Sequence, residues 1–290
     1  METLTFLIIQ SLNALSQASL LFFIASGLTL IFGIMRIINF AHGALYMLGA
    51  YIGYTLAMST GSFVFALVVA PILVALVGLA FESSLLRRLY KRQDGGAYLM
   101  ITFGLAVILD EAIKLIWGAD PKGVPTPDLL QGVIIILDFP FPKYRIFLIL
   151  LGISAAASVW FFLEKTRLGL LIRAVSQNSE MVSALGTDVT FIRRLVFAIG
   201  CGLAAIGGVL ATPMVTAFLG MASSVVIDAF VIVIIGGMGS FLGSIIGSVL
   251  VAFVQVFGAY YVPDLALAIM YMLMLAILVL RPGGLLGKEE

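Results

Sequence analysis

The sequence predicts an all-α polytopic membrane protein of about eight or nine transmembrane or re-entrant helices. Composition is the first reason. Of 290 residues, 62% belong to the AVILMFWYC set and 11% are charged, whereas a soluble domain is about 25% charged. The second is a mean hydropathy of +1.19. The third is that the apolar residues come in runs close to the roughly 20 residues that cross a bilayer core. A water-soluble surface cannot be assembled from so few charges. Disordered, collagenous and disulfide-scaffold classes fall on the same composition. At roughly 30–36 residues per span with its loop, little chain is left outside the membrane. The whole chain, 1–290, therefore reads as a single transmembrane domain.

The apolar runs lie at about 11–35, 43–58, 63–86, 97–117, 145–163, 193–217, 225–238, 241–260 and 264–280. The first has no basic residue before it and is too long for a signal-peptide core, so it reads as a retained helix. The 225–238 run is short enough to be broken or re-entrant. Charge sits in the breaks. Arg87, Arg88, Lys91 and Arg92 follow the third run, and Arg281 and Lys288 follow the last. Lys165, Arg167, Arg173, Arg193 and Arg194 surround the connection between the fifth and sixth. The positive-inside rule makes these three regions cytoplasmic, with the N-terminus external and the C-terminus cytoplasmic. The Pro- and Asp-rich connection from about 118 to 144 is then external, and its stretch Val133–Leu137 suits a short strand.

Two glycine-rich segments interrupt the pattern. One runs from Asn39 through His42, Gly43 and Gly49 to Gly53; the other runs from Gly236 and Gly237 through Gly239 and Gly243 to Gly247 and Ser248. They occupy comparable places in the two halves of the chain. Corresponding interruptions point to a transporter built from repeats around a midplane pathway. Glycine at four-residue spacing equally lets helices pack closely, and Gly200, Ala204, Gly208 and Thr212 read as such a packing face. Asn39, His42, Gly43, Gly236, Gly237, Gly239 and Gly243 are the candidate pathway or hinge residues. His42 is either a gating residue or a polar helix-start residue near the cytoplasmic interface.

Catalytic constellations are missing. His42 is the only histidine, which excludes His-metal clusters and His-based triads. Cys201, the only cysteine, excludes an intramolecular disulfide and reads as a buried small apolar residue. Asp110 and Glu111 precede Lys114 by four and three residues, which suits local pairing, and Asp228 stands near the outer end of its span. The tail from Gly283 to Glu289 has a superficial P-loop look. Its spacing is one residue short, and Glu289 stands where Ser or Thr must hold Mg²⁺. No catalytic residue, cofactor or metal site is expected, nor ATP binding by this chain alone.

The cytoplasmic connection from Lys165 to Thr190 is the most informative stretch. Asn178 or Ser179 suits the cap of a short helix from about Glu180 to Leu185, with Gly186 as its stop. On physics alone a surface connector would serve as well. The stretch resembles the coupling loop of ABC importer permeases, in which a Glu and a Gly six residues later mark a short helix that docks into the ATPase. Glu180 and Gly186 keep that spacing, although Met181 and Val182 stand where Ala is expected. Three further motifs join it: Asn39-Phe40-Ala41-His42-Gly43, Arg173-Ala174-Val175 and Gly236-Gly237-Met238-Gly239-Ser240. With the tail Arg281-Pro282-Gly283-Gly284-Leu285-Leu286-Gly287, the chain resembles a LivH-type branched-chain amino acid ABC permease over essentially its whole length.

That resemblance implies the transmembrane subunit of a binding-protein-dependent importer in the bacterial inner (plasma) membrane. Its cargo would be branched-chain or related amino acids, with urea or short-chain amides as the alternative. It implies a second permease subunit, identical or paralogous, two cytoplasmic ATP-binding subunits and a periplasmic solute-binding protein. Membrane lipid is a partner; nucleic acid is not. Arg167, Arg173, Asn178, Glu180, Ala184 and Gly186 become the ATPase-coupling residues. The reading from another class is a stand-alone secondary transporter or channel. It needs ionisable groups deep in the membrane, and the span centres carry almost none.

Overall fold

The computed structural model describes residues 2–89, 95–136 and 138–287, so Lys91, Arg92, Leu137, Lys288 and Glu289 lie outside the described residues. The chain begins with α1 (Glu2–Met35), α2 (Ala41–Thr60) and α3 (Phe63–Phe81). The third helix runs on through a π-helical turn, Glu82–Leu86, into α4 (Arg87–Leu89). Next come α5 (Gly95–Trp117) and an antiparallel hairpin of β1 (Val133–Ile136) and β2 (Phe139–Pro142), in the register Val133↔Pro142 and Ile136↔Phe139. After it follow α6 (Lys143–Lys165), α7 (Arg167–Gln177), α8 (Ser179–Ala184), α9 (Val189–Ala211), α10 (Met221–Gly236), α11 (Phe241–Tyr261) and α12 (Ala266–Leu280).

Each apolar run of the sequence contains a helix, with one revision. The run 193–217 is helical only as far as Ala211, because Pro213 cannot continue the ladder. The chain beyond it turns back, and Ala217 exchanges backbone hydrogen bonds of 2.8 Å with Lys122 of the opposite loop. By length and composition six helices among the described residues suit a membrane crossing, and α10 is a shorter apolar one. α2 and α5 have 20 and 23 residues, and at 1.5 Å per residue they also reach about 30–35 Å, the thickness of the hydrocarbon core.

Burial sorts the helices into a centre and a shell. Of the apolar stretch of α1, 83% is buried, against 6% for the last helix. α9 packs against α1, α2 and α3, through small residues that admit close approach. A Cβ on Gly208 would fall 2.1 Å from Tyr46 O, and one on Gly200 2.7 Å from Ile31. Outer faces carry Leu76, Phe103, Ile108, Phe161, Leu275 and Val279, all exposed. In hydrocarbon such side chains need no further cover, so the shell is lipid-facing.

Arg145 bonds Asn13 at one end, while Arg36, Arg173, Arg193 and Arg194 gather at the other. A cavity there is lined by Met35 at the end of α1, Arg36 just after it, Gly95 of α5, Gln177 of α7, Ser179 of α8 and Arg193 of α9. Beside it Arg194 pairs with Glu82 at 3.3 Å, and the Glu82 side chain is fully buried. The π-helical turn that begins at Glu82 is the local irregularity beside this buried carboxylate.

Candidate functional site

The connection between α6 and α9 is built from caps. Thr166 Oγ1 accepts from Gly169 N at 3.0 Å and starts α7. Gly169, Ile172 and Val175, three residues apart, form its buried face, while Arg167 and Leu170 face outward. The Arg173 guanidinium donates to Leu163 O and pairs with Glu164 at 3.2 Å. A cation at the last carbonyls of a helix is favourable on both hydrogen-bonding and dipole grounds. Arg173 is therefore a strut that ties α7 to the end of α6.

The short helix expected after it is present as α8. Asn178 Oδ1 accepts from Met181 N at 2.9 Å as its N-cap. Its end is a Schellman turn: Thr187 N donates to Val182 O, Gly186 N donates to Ser183 O, and Gly186 has φ +87. Only Val182 is buried. Glu180, Ala184 and Gly186 are exposed, and between them stand Met181 and Leu185, 63% and 80% exposed. Met181 and Leu185 are thus exposed apolar side chains on a helix capped at both ends.

The first glycine-rich segment follows a helix break. From Ile37 to Asn39 the chain is non-helical, and Thr102 of α5 spans the break, accepting from Phe40 N at 3.4 Å. Asn39, fully buried, caps α2 by accepting from Ala41 N at 3.1 Å. His42 begins that helix, but far from any surface. It is fully buried, with Nε2 3.0 Å from Ile24 O in the middle of α1. The break moves the start of α2 inward by several residues, which periodicity alone cannot reveal. Gly43 lies against α10, where a Cβ would fall 2.1 Å from Ala222 O.

The second segment joins α10 to α11. Gly236 and Gly243 face each other so closely that a Cβ on either would meet the other's carbonyl oxygen within about 2.2 Å. Gly237, at φ +103, and Gly239, at φ +82, turn the chain. The tail folds back over this turn: Leu285 N donates to Ile235 O at 2.9 Å and Leu286 N to Gly236 O at 3.0 Å. These bonds satisfy terminal carbonyls of α10 that have no partner within the helix. A cavity of ≈ 260 Å³ opens between this turn and α7, and its lining includes both Gly239 and Arg173. Candidate coupling and hinge residues thus share one cavity. Asn39, His42 and Gly43 lie deeper, and Glu180, Ala184 and Gly186 project away from it.

Chemistry elsewhere is sparse. Among the described residues no three His, Cys, Asp or Glu side chains are grouped to hold a metal ion. Cys201 is buried, in contact distance of a Cβ placed on Gly78. Glu111 pairs with Lys114 at 3.5 Å. Asp228 is partly buried beside Gln255.

Comparison with known proteins places the chain. Residues 10–278 match the family described as branched-chain amino acid transport system / permease component. The chain belongs to that family. It is 31% identical to the high-affinity branched-chain amino acid transport system permease protein BraD of Pseudomonas aeruginosa, over 97% of this chain and 96% of the relative. It is 25% identical to LivH of Escherichia coli K12, a permease protein of the same description, over 100% and 98%. A probable LivH permease of Methanocaldococcus jannaschii is 25% identical over 96% and 91%. These relatives are transport permease proteins by name, and this chain is likewise a multi-pass permease.

Four parts of this permease escape a reading of the sequence. Glu82 and Arg194 pair across 112 positions, and Thr102 meets the first break from another helix. Thr29, 1% exposed, lines the cavity beside Gly239. The tail motif is visible as a motif, but nothing in it announces that it closes α10.

Proposed function

We propose that this permease is the membrane subunit of an ATP-driven, binding-protein-dependent importer of branched-chain amino acids in the bacterial inner membrane. The observation that carries this reading is the family match along residues 10–278. The chain, as one domain, forms half of a pathway with a second permease. A paralogue is the better partner, since a probable LivM permease of the same archaeon as the LivH relative is also similar to this chain, 28% identical over 79% of it. Two ATP-binding subunits on the cytoplasmic side and an external solute-binding protein complete the assembly. The arginine-bearing end, with Arg36, Arg173, Arg193 and Arg194, is cytoplasmic, so the N-terminus is external.

In this reading α8 is the docking helix. A bilayer-embedded chain without a P-loop draws on ATP only through a stiff element that another subunit moves. Met181, Ala184 and Leu185 supply contact, Asn178 and Gly186 keep the helix rigid, and Glu180 and Arg167 frame it. Arg173 passes the motion to α6. Asn39, His42, Gly43, Gly236, Gly237, Gly239 and Gly243 are the sites about which the broken helices pack and hinge.

The test is charge at the docking surface. Ala184→Asp or Glu180→Lys is expected to leave the permease membrane-inserted while solute-stimulated ATP hydrolysis by the assembled complex falls at least about tenfold. Full assembly and full stimulation in Ala184→Asp would remove α8 from the docking role. Orientation has its own check. A single cysteine at position 289 in a Cys201→Ala background is expected to react only with reagent on the cytoplasmic side.

A further inference from the structure

The cavity between α7 and the second break has the wall of a binding site. Leu30, Ile34, Trp160, Ile172, Phe241 and Leu242 give it an apolar lining. Its polar groups carry both signs, because the Arg173–Glu164 pair, 3.2 Å apart, belongs to the same lining. Thr29 supplies the second observation. It is 1% exposed, lines the cavity, and its Oγ1 has no hydrogen-bond partner among the described residues. A buried helical hydroxyl ordinarily returns to a carbonyl one turn back, as Thr102 does to Tyr98 O at 2.9 Å. An unpaired buried hydroxyl is unfavourable unless something enters to pair it.

We propose that this cavity is a regulatory site for a zwitterionic α-amino acid with an aliphatic side chain, entering from the arginine-bearing end. An anion alone would leave Glu164 opposed, and a cation alone would leave Arg173 opposed. An α-amino acid carries carboxylate and ammonium about as close together as these two side chains, so it lies alongside the pair in antiparallel order, carboxylate to Arg173 and ammonium to Glu164, with every charge still paired. The Thr29 hydroxyl then bonds the head group, and the aliphatic side chain replaces water against Leu30, Ile34 and Ile172. The cavity, ≈ 260 Å³, has room for one such molecule. Its walls come from α1, α6, α7 and the α10–α11 turn. A bound molecule therefore fixes the strut of the coupling segment against the second break. Accumulated amino acid would slow further import by holding one arrangement of these elements. That consequence rests on the importer reading; the binding itself does not.

The experiment uses the complete transporter without its binding protein, in nanodiscs, with L-leucine as the probe. Saturable binding is expected, with competition by neither 4-methylpentanoate, which lacks the ammonium, nor 3-methylbutylamine, which lacks the carboxylate. Thr29→Val, the same shape without the hydroxyl, is expected to weaken binding at least about tenfold. Leu242→Trp, at a half-exposed wall position, is expected to abolish it by filling the space. In proteoliposomes with the binding protein supplied on the opposite side, leucine on the ATPase side should lower uptake by the wild type and lower it less in Thr29→Val. Absence of saturable binding to a complex that hydrolyses ATP would overturn the proposal. So would binding that both variants leave unchanged, or displacement by 4-methylpentanoate or by phosphatidylethanolamine alone. Uptake of leucine without such binding defeats this proposal only, whereas binding without uptake defeats the importer reading and leaves this one standing.

Discussion

Both helix breaks are glycine-rich, yet different chemistry satisfies their backbones. In the first, side chains do the pairing: Asn39 Oδ1 accepts from Ala41 N, and Thr102 Oγ1 reaches Phe40 N from another helix. In the second, main chain closes α10, with Leu285 and Leu286 donating to Ile235 and Gly236, and a side chain enters only at the start of α11, where Ser240 Oγ accepts from Gly243 N at 3.1 Å. Non-helical backbone is tolerated at membrane depth only where its polar groups are met by protein or by a water-filled cavity. The contrast teaches that an apparent repeat in glycine spacing need not repeat a mechanism. A side-chain-held break can be retuned by one substitution elsewhere. A backbone-held one depends on glycine itself.

The largest expected effect is therefore at Gly237. A Cβ there would fall 2.4 Å from Gly287 N, and its φ of +103 is closed to other residues. Gly237→Val combines overpacking with backbone strain, about 3 kcal/mol or more together. The yield of detergent-stable, membrane-inserted protein should collapse. Gly61→Val is the control, since φ is +68 there but no atom lies within 4 Å of its Cβ. It should lose only the strain, about 1–2 kcal/mol. Equal yields would mean that the tail does not press on the turn.

Truncation after Pro282 comes next. It leaves the Ile235 and Gly236 carbonyls without donors, at about 1–3 kcal/mol each if they stay dry. Hydrogen exchange should accelerate across residues 233–237 while residues 40–43 keep their protection. Acceleration in both places would show that the breaks are one cooperative unit. Thr102→Val is the reciprocal change and is smaller, about 1–2 kcal/mol for a hydroxyl that holds a long, 3.4 Å bond. Exchange should then rise at residues 38–41 alone.

Helices were legible wherever hydrophobic periodicity and length decide, and the cap of α8 was legible because Asn178 and Gly186 are local signals. What stayed hidden is relational. Glu82 reads as the end of an apolar run until a π-helical turn sets it beside Arg194. His42 reads as an interfacial helix start because sequence carries no depth. It lies against Ile24 because the preceding residues leave the helical path and carry the start of α2 inward. Arg173 reads as a cytoplasmic coupling residue, and only the fold reveals that its guanidinium meets the last carbonyls of α6.

His42 gives the smallest expected effect and the finest test of the first break. Its Nε2 donates to Ile24 O, while Nδ1 has no partner among the described residues. The ring also sits tightly, since a Cβ on Gly27 would fall 3.1 Å from it. Two roles are compatible with that position. If the imidazole serves as a fixed donor that pins α2 to α1, any neutral donor of similar reach replaces it. If it gates by changing charge, only a titrating group will do. His42→Gln keeps a donor and removes the titration. Uptake by the variant is expected to match the wild type within about twofold from pH 5.5 to 8, a window that brackets the ordinary histidine range. A variant that transports at one end of that window and fails at the other would make His42 a switch. The first break would then differ from the second in function as well as in chemistry.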